Sequence, residues 1–171
     1  MSKIPPLLPV ETVRRVLRVA HADGLSVLVV ATFSAIIAAS GQDKVDAILL
    51  LLVCGAGAME LHGAHLIGAG LRAGIRWLIG SQLFLLLVML SYVGIHLTKL
   101  PVPPFSASLP DDVLQQAVAT SGMKAGEFVA KFNAMVAFSI VLLTLIYQGW
   151  MILYYARRRH ALNTFFGTLQ T

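Results

Sequence analysis

Glu60, His62 and His65 stand inside an otherwise apolar stretch that runs from Val45 to Leu71. Such a stretch is long enough to cross a bilayer, and a charged side chain at mid-membrane costs roughly 2.5–3.5 kcal/mol on insertion scales. Glu60 must therefore be neutral, paired, or turned toward a watery cavity. Three kinds of chemistry are open to the trio. As polar links between packed helices they would form interhelical hydrogen bonds, contributing roughly 0.6–2 kcal/mol each. As an ion or proton pathway they would use the titration of an acid and two imidazoles. As a haem or metal site they would use His62 and His65, three residues apart on one face. No HExxH and no Cys/His quartet supports the last of these. Glu60 lies two positions from His62 and points to a different side, so its partners are expected on another helix or another subunit.

Further polar residues fall at similar depth. Gln82 and Gln148 both sit in the half of their apolar stretches nearest the arginines. With Glu60, His62 and His65 they make the candidate intramembrane polar site. Ser34, Ser81, Ser91 and Ser139 are weaker signals, because a serine in a membrane helix usually bonds its own backbone. No GxSxG or phosphate-binding glycine loop occurs. Cys54 is the single cysteine, set among apolar residues where it reads as a small hydrophobe, and no intrachain disulfide is possible. No catalytic residue, metal ligand set or cofactor is assigned.

Small residues flank the acid. Ala56, Glu60, Ala64, Gly68 and Arg72 recur every four positions, and Gly70 and Gly74 form a GxxxG pair. Ala56, Ala64, Gly68, Gly70 and Gly74 are thus the positions where a neighbouring helix is expected to approach closely.

The elements that must position these residues follow from the apolar runs. The 171 residues are 57% hydrophobic and only 12% charged, too little charge for the surface of a soluble domain. Four runs are long enough for membrane helices, at about 20 residues each: 22–40, 45–71, 77–97 and 132–155. Each backbone N–H in hydrocarbon must be bonded within its own segment, so all four read as helix. The short connections at Gly41–Lys44 and Arg72–Arg76 make their neighbours antiparallel.

The third connection, 98–131, is long. Pro101, Pro103 and Pro104 break the third helix. A serine, an early proline and two acids (Ser108, Pro110, Asp111, Asp112) then open a short amphipathic helix at about 109–121, with Gly122 as its stop. Val113, Leu114, Ala117 and Val118 share its apolar face. Another helix starts near Lys124 and continues into the fourth span. At the other end of the chain, residues 1–21 hold an N-terminal helix over Val10–His21, either interfacial or an extension of the first span. Residues 156–171 form a tail.

Orientation comes from the basic residues. Lys3, all eight arginines (Arg14, Arg15, Arg18, Arg72, Arg76, Arg157, Arg158 and Arg159) and both termini fall on one side. Lys44, Lys99, Lys124 and Lys131 fall on the other. The nine-to-four split places both termini in the cytoplasm, with Trp77, Trp150, Tyr154 and Tyr155 at the inner boundary. Arg14–Arg18, an apolar run and Ala38-Ala39-Ser40 also resemble a signal peptide, but the long region before the run fits that pattern poorly, so the segment is expected to stay as a span.

The expected fold is an all-α membrane protein: an antiparallel four-transmembrane-helix bundle with a short extracytoplasmic amphipathic helix, forming one domain in the cell inner (plasma) membrane. Its net charge of +5 gathers at span ends without a nucleic-acid motif, so no nucleic acid is expected. The expected partners are the lipid bilayer and either further copies of the chain or another membrane protein. The expected function is that of a non-enzymatic membrane subunit. A small ion- or proton-conducting protein using Glu60 with His62 and His65 is the first alternative, and a membrane redox subunit with haem or metal the second.

Overall fold

The structure, a computed structural model, describes residues 9–41, 43–97 and 105–168. Among them are five α-helices: α1 (Pro9–Ser40), α2 (Lys44–Gly68), α3 (Ala73–Leu97), α4 (Asp111–Ser121) and α5 (Ala125–Thr168). A single 3-10 turn, Phe105–Ser108, precedes α4. Lys3, Gln42, Lys99, Pro101, Pro103 and Pro104, and the last three positions of the tail, lie outside the described residues.

Helices α1, α2, α3 and α5 are long and apolar enough to cross a membrane. Their exterior is apolar, with Ile37 and Met135 each 70% exposed, while Glu60, Ser81, Gln82 and Gln148 are buried between them. A water-soluble domain has the opposite arrangement, so this distribution fits a multi-pass membrane protein.

Local chemistry explains the helix ends. Gly41 N–H donates to the Ile37 carbonyl and Asp43 N–H to that of Ala38, closing α1. The Asp43 carboxylate then accepts from Asp46 N–H at 3.1 Å and caps α2. At the far end of α2, Leu71 N–H reaches back to the Leu66 carbonyl at 2.8 Å while Gly70 takes φ +78°. This left-handed closure ends α2 at Gly68, three residues before the apolar run stops. It also lets α3 begin at Ala73, four residues before the expected 77, so Gly70 and Gly74 are not on one helix. Pro110, whose side chain makes no capping hydrogen bond, stands at the N-cap of α4; Ser108 belongs to the preceding turn. That turn is held by Ser106 N–H donating to Asn133 Oδ1 at 2.8 Å. Gly122, at φ +66°, terminates α4.

Two helices run beyond the expected spans. α1 is continuous over 32 residues, so Val10–His21 extends the first span. α5 is continuous over 44 residues and includes most of the tail. At 1.5 Å per residue that is about 66 Å, twice the hydrocarbon thickness. The extensions pack on each other: Val16 and Ala20 of α1, Ile67 of α2, Leu78 of α3, and Leu162 and Phe166 of α5 share one buried cluster. This cluster joins the start of α1, the α2–α3 turn and the end of α5, and defines the arginine end of the molecule. At the opposite end His96 Nε2 meets Asp46 Oδ1 at 3.1 Å. The His96 ring lies 4.8 Å from Phe105 and 4.4 Å from Tyr92.

Candidate functional site

Two glycine contacts set the spacing of the helices around Glu60. A β-carbon on Gly57 would meet the Gly24 carbonyl oxygen at 2.9 Å and the Leu28 nitrogen at 3.0 Å, so α1 and α2 touch backbone to backbone. A β-carbon on Gly74 would meet the Gly63 carbonyl oxygen at 2.5 Å, so α2 and α3 do the same near their turn. Asp23 adjoins the first contact and Glu60 lies between the two along α2. Close approach therefore carries both carboxyls to the level of Gln82 on α3.

Gln82 Nε2 donates to Glu60 Oε2 at 2.8 Å and to Asp23 Oδ2 at 3.0 Å. One amide nitrogen thus bridges two carboxyl groups. The outer oxygens are taken by α5: Tyr155 Oη donates to Glu60 Oε1, and Tyr147 Oη donates to Asp23 Oδ1, each at 2.5 Å. The tyrosines are eight residues apart, two helical turns and a little more, so one face of α5 reaches both acids. All four carboxyl oxygens have a donor. Glu60 is 2% exposed and Asp23 8%. Among the described residues no lysine, arginine or histidine pairs with either acid, the ion pairs being His96–Asp46 and Lys131–Glu127.

The remaining candidate residues divide. Gln82 joins Glu60 directly. Gln148 is buried beside the network, but its Oε1 has no hydrogen-bond partner among the described residues, and neither does Gln82 Oε1. His62 and His65 are exposed on the outer surface of α2, away from Glu60. The His62 ring packs edge-on against Trp77 at 5.0 Å. Of the small residues, Ala56 and Ala64 are buried, and Gly74 makes the α2–α3 contact. Gly68 and Gly70 have open space beside them within the chain, and Gly70 serves the left-handed turn. Cys54 is half-buried, 3.5 Å from Thr32 Oγ1. Among the described residues no three His, Cys, Asp or Glu side chains gather as a metal site.

Asp23, Tyr147 and Tyr155 were not among the candidates. Asp23 sits at the start of the first apolar run and reads as a flanking acid. Its signal is the buried stripe Val13, Val16, Ala20, Asp23, Ala31, whose helical spacing carries the apolar face of the N-terminal segment straight through the acid. Tyr155 reads as an interfacial anchor, and its eight-residue spacing from Tyr147 is the trace of a shared role.

Beside Asp23 lies a cleft of about 500 Å³, walled by α1 and α5 and backed by α2 and α3. It is mainly apolar, with Asp23, Tyr147 and Gln148 at its arginine end. No protein family, curated protein or solved structure matches this chain.

Proposed function

We propose that the protein is a non-enzymatic, proton-binding membrane protein whose working site is the shared carboxyl pair Asp23–Gln82–Glu60. The supporting observation is the pair itself: two buried acids bridged by one amide nitrogen, with no basic side chain on either. Two bare carboxylates buried side by side without a cation would repel one another, and Glu60, the deeper of the two, would cost roughly 2.5–3.5 kcal/mol if charged at mid-membrane. The pair is neutralised most simply by taking up a proton or a cation. This is the small proton-conducting reading, with Asp23 in place of His62 and His65. Reconstituted in liposomes under a pH gradient, the wild-type chain is expected to carry protons. Glu60→Gln and Asp23→Asn are each expected to reduce that flux to the level of empty vesicles. Equal flux in the wild type and the Asp23→Asn, Glu60→Gln double variant would refute the reading.

The proposal includes the setting. The four long helices form an antiparallel bundle in the cell inner membrane, with both termini in the cytoplasm and α4 on the outer face, resting its Leu114 and Val118 side toward the bundle. The nine-to-four distribution of basic residues supports this orientation. Topology reporters fused after Gly41 and near Ser108 are expected to read outside, and those after Gly74 and at the C-terminus inside. An outside signal at Gly74 would invert the arrangement.

A second observation supports a protein partner. His62 and His65 are exposed on a face that, in a single chain, would meet lipid. Polar side chains at such depth are usually covered by protein. A second copy or another membrane protein seated on α2 would supply that cover. Cysteine crosslinking from position 65 is expected to capture it, and a purely monomeric product would remove this reading.

A further inference from the structure

We propose that the cleft between α1 and α5 binds a lipophilic organic cation, a protonated amine with one apolar body, whose ammonium group seats on Asp23 and the Gln148 amide. The inference deepens the proton-binding reading and rests on it: one cation enters as one proton leaves the acid pair.

Three observations lead there. The first is shape and access. The cleft's volume of about 500 Å³ is that of a small-molecule site, and its lining on α1 runs from Asp23 to Ser34, about 16 Å of helix. Its rim residues Val30 and Leu143 are 65% and 67% exposed, so it opens sideways, at the depth where the surrounding medium is hydrocarbon. A molecule entering by that route must be soluble in lipid. The second is charge. Asp23 is the one charged side chain in the lining; the rest are apolar or neutral. An anion would be repelled, and a neutral donor would gain a hydrogen bond to the acid without the charge attraction. The third is Gln148. It is 5% exposed and lines the cleft, with Oε1 unpartnered among the described residues. A buried amide oxygen without a donor is costly, and a ligand N–H would satisfy it. A protonated amine carries both the charge for Asp23 and the N–H for Gln148. A quaternary ammonium carries only the charge.

The titratable groups facing the seat are Asp23 from α1, Glu60 from α2 acting through Gln82 of α3, and Tyr147 and Tyr155 from α5. Binding is therefore expected to weaken as the medium is acidified, since protons compete for the same acids.

The test uses the full chain in nanodiscs of zwitterionic lipid, with N,N-dimethyloctylamine as the probe. Octan-1-ol serves as the neutral counterpart and octyltrimethylammonium as the quaternary one. Equilibrium dialysis is expected to show saturable binding of one amine per chain, weaker binding of the quaternary ion, and only lipid partitioning of the alcohol. Asp23→Asn should weaken amine binding by about tenfold or more, the scale of a lost charge–charge contact shielded from water. Because that variant can disturb the acid pair, Gln148→Leu provides a milder substitution, expected to weaken the amine about threefold while leaving the quaternary ion unchanged. Leu143→Trp, at the exposed rim, should block entry of both. Equal saturable binding of amine and alcohol would make the cleft an acyl-chain groove and overturn the proposal. So would amine binding indifferent to both Asp23→Asn and Gln148→Leu, or no saturable binding at all. A pH indicator in weakly buffered solution separates the two readings. Proton uptake by the acids without amine binding would sink the cleft proposal alone. Amine binding without proton release would leave the cleft as an amine site but sink the exchange and the proton reading under it.

Discussion

Glu60→Leu is expected to destabilise the folded chain by roughly 3 kcal/mol, the upper end of the cost of about 1–3 kcal/mol for stranding one buried group, with a second group left short of one acceptor. Tyr155 Oη loses its partner outright, and it is buried too deeply for water to replace it. Gln82 Nε2 loses one of its two acceptors and keeps Asp23. Glu60→Gln should cost less, about 1 kcal/mol or below. A glutamine oxygen can still accept from Tyr155, and its new N–H₂ can donate to Gln82 Oε1, which lacks a donor among the described residues. Tyr155→Phe should fall between, since it strands one carboxyl oxygen. Unfolding in detergent, followed by circular dichroism across the three variants, checks the order. If leucine proved no worse than glutamine, the network would contribute nothing to holding the helices, and Glu60 would be retained for proton chemistry alone.

The second large effect is expected at Gly74. A β-carbon there would lie 2.5 Å from the Gly63 carbonyl oxygen and 2.8 Å from the Ile67 nitrogen, both backbone atoms that no rotamer change can move. Any side chain must push α2 and α3 apart. Alanine would gain up to about 1 kcal/mol of helix propensity against that strain, which blurs its sign. Leucine adds bulk without ambiguity. Gly74→Leu is expected to cost about 3 kcal/mol or more, the upper end of overpacking, and to pull Gln82 from Glu60. Gly68→Leu is the control, because open space surrounds Gly68 within the chain. It should change stability by no more than about 0.5 kcal/mol, as at an ordinary surface site. Thermal stability in detergent measures both. A shift in oligomer size with Gly68→Leu, without loss of monomer stability, would locate a partner on that face. Equal effects at the two glycines would mean that α2 and α3 do not meet as described.

The sequence alone determined the class of the protein and the number of long helices. The reason is that a helix in hydrocarbon satisfies its own backbone, so run length and composition are local properties. It also determined where two helices stop, since Gly41 and Gly122 act through neighbouring backbone groups. The need for a partner to Glu60 was equally legible, because the cost of a buried acid follows from its depth. Which groups answer that need was decided only by the tertiary structure. Periodicity tells which residues share a face, but not how far one helix slides or rotates against the next. In the sequence Asp23 stands as a flanking charge; only the continuity of α1 from Pro9 and its docking against α2 at Gly24 and Gly57 bring it into the network. In the sequence Tyr155 reads as an interfacial anchor; only the packing of α5 turns it, with Tyr147, onto the two carboxyls. His62 and His65, only two and five residues from Glu60, were turned outward by the same packing that buried it. Even the row Ala56, Ala64, Gly68 divides, because Gly74 of α3 packs on Gly63 and Ile67 while Gly68 faces open space. The acid pair and its cleft thus arise from residues on four helices, joined by contacts between segments far apart in the chain.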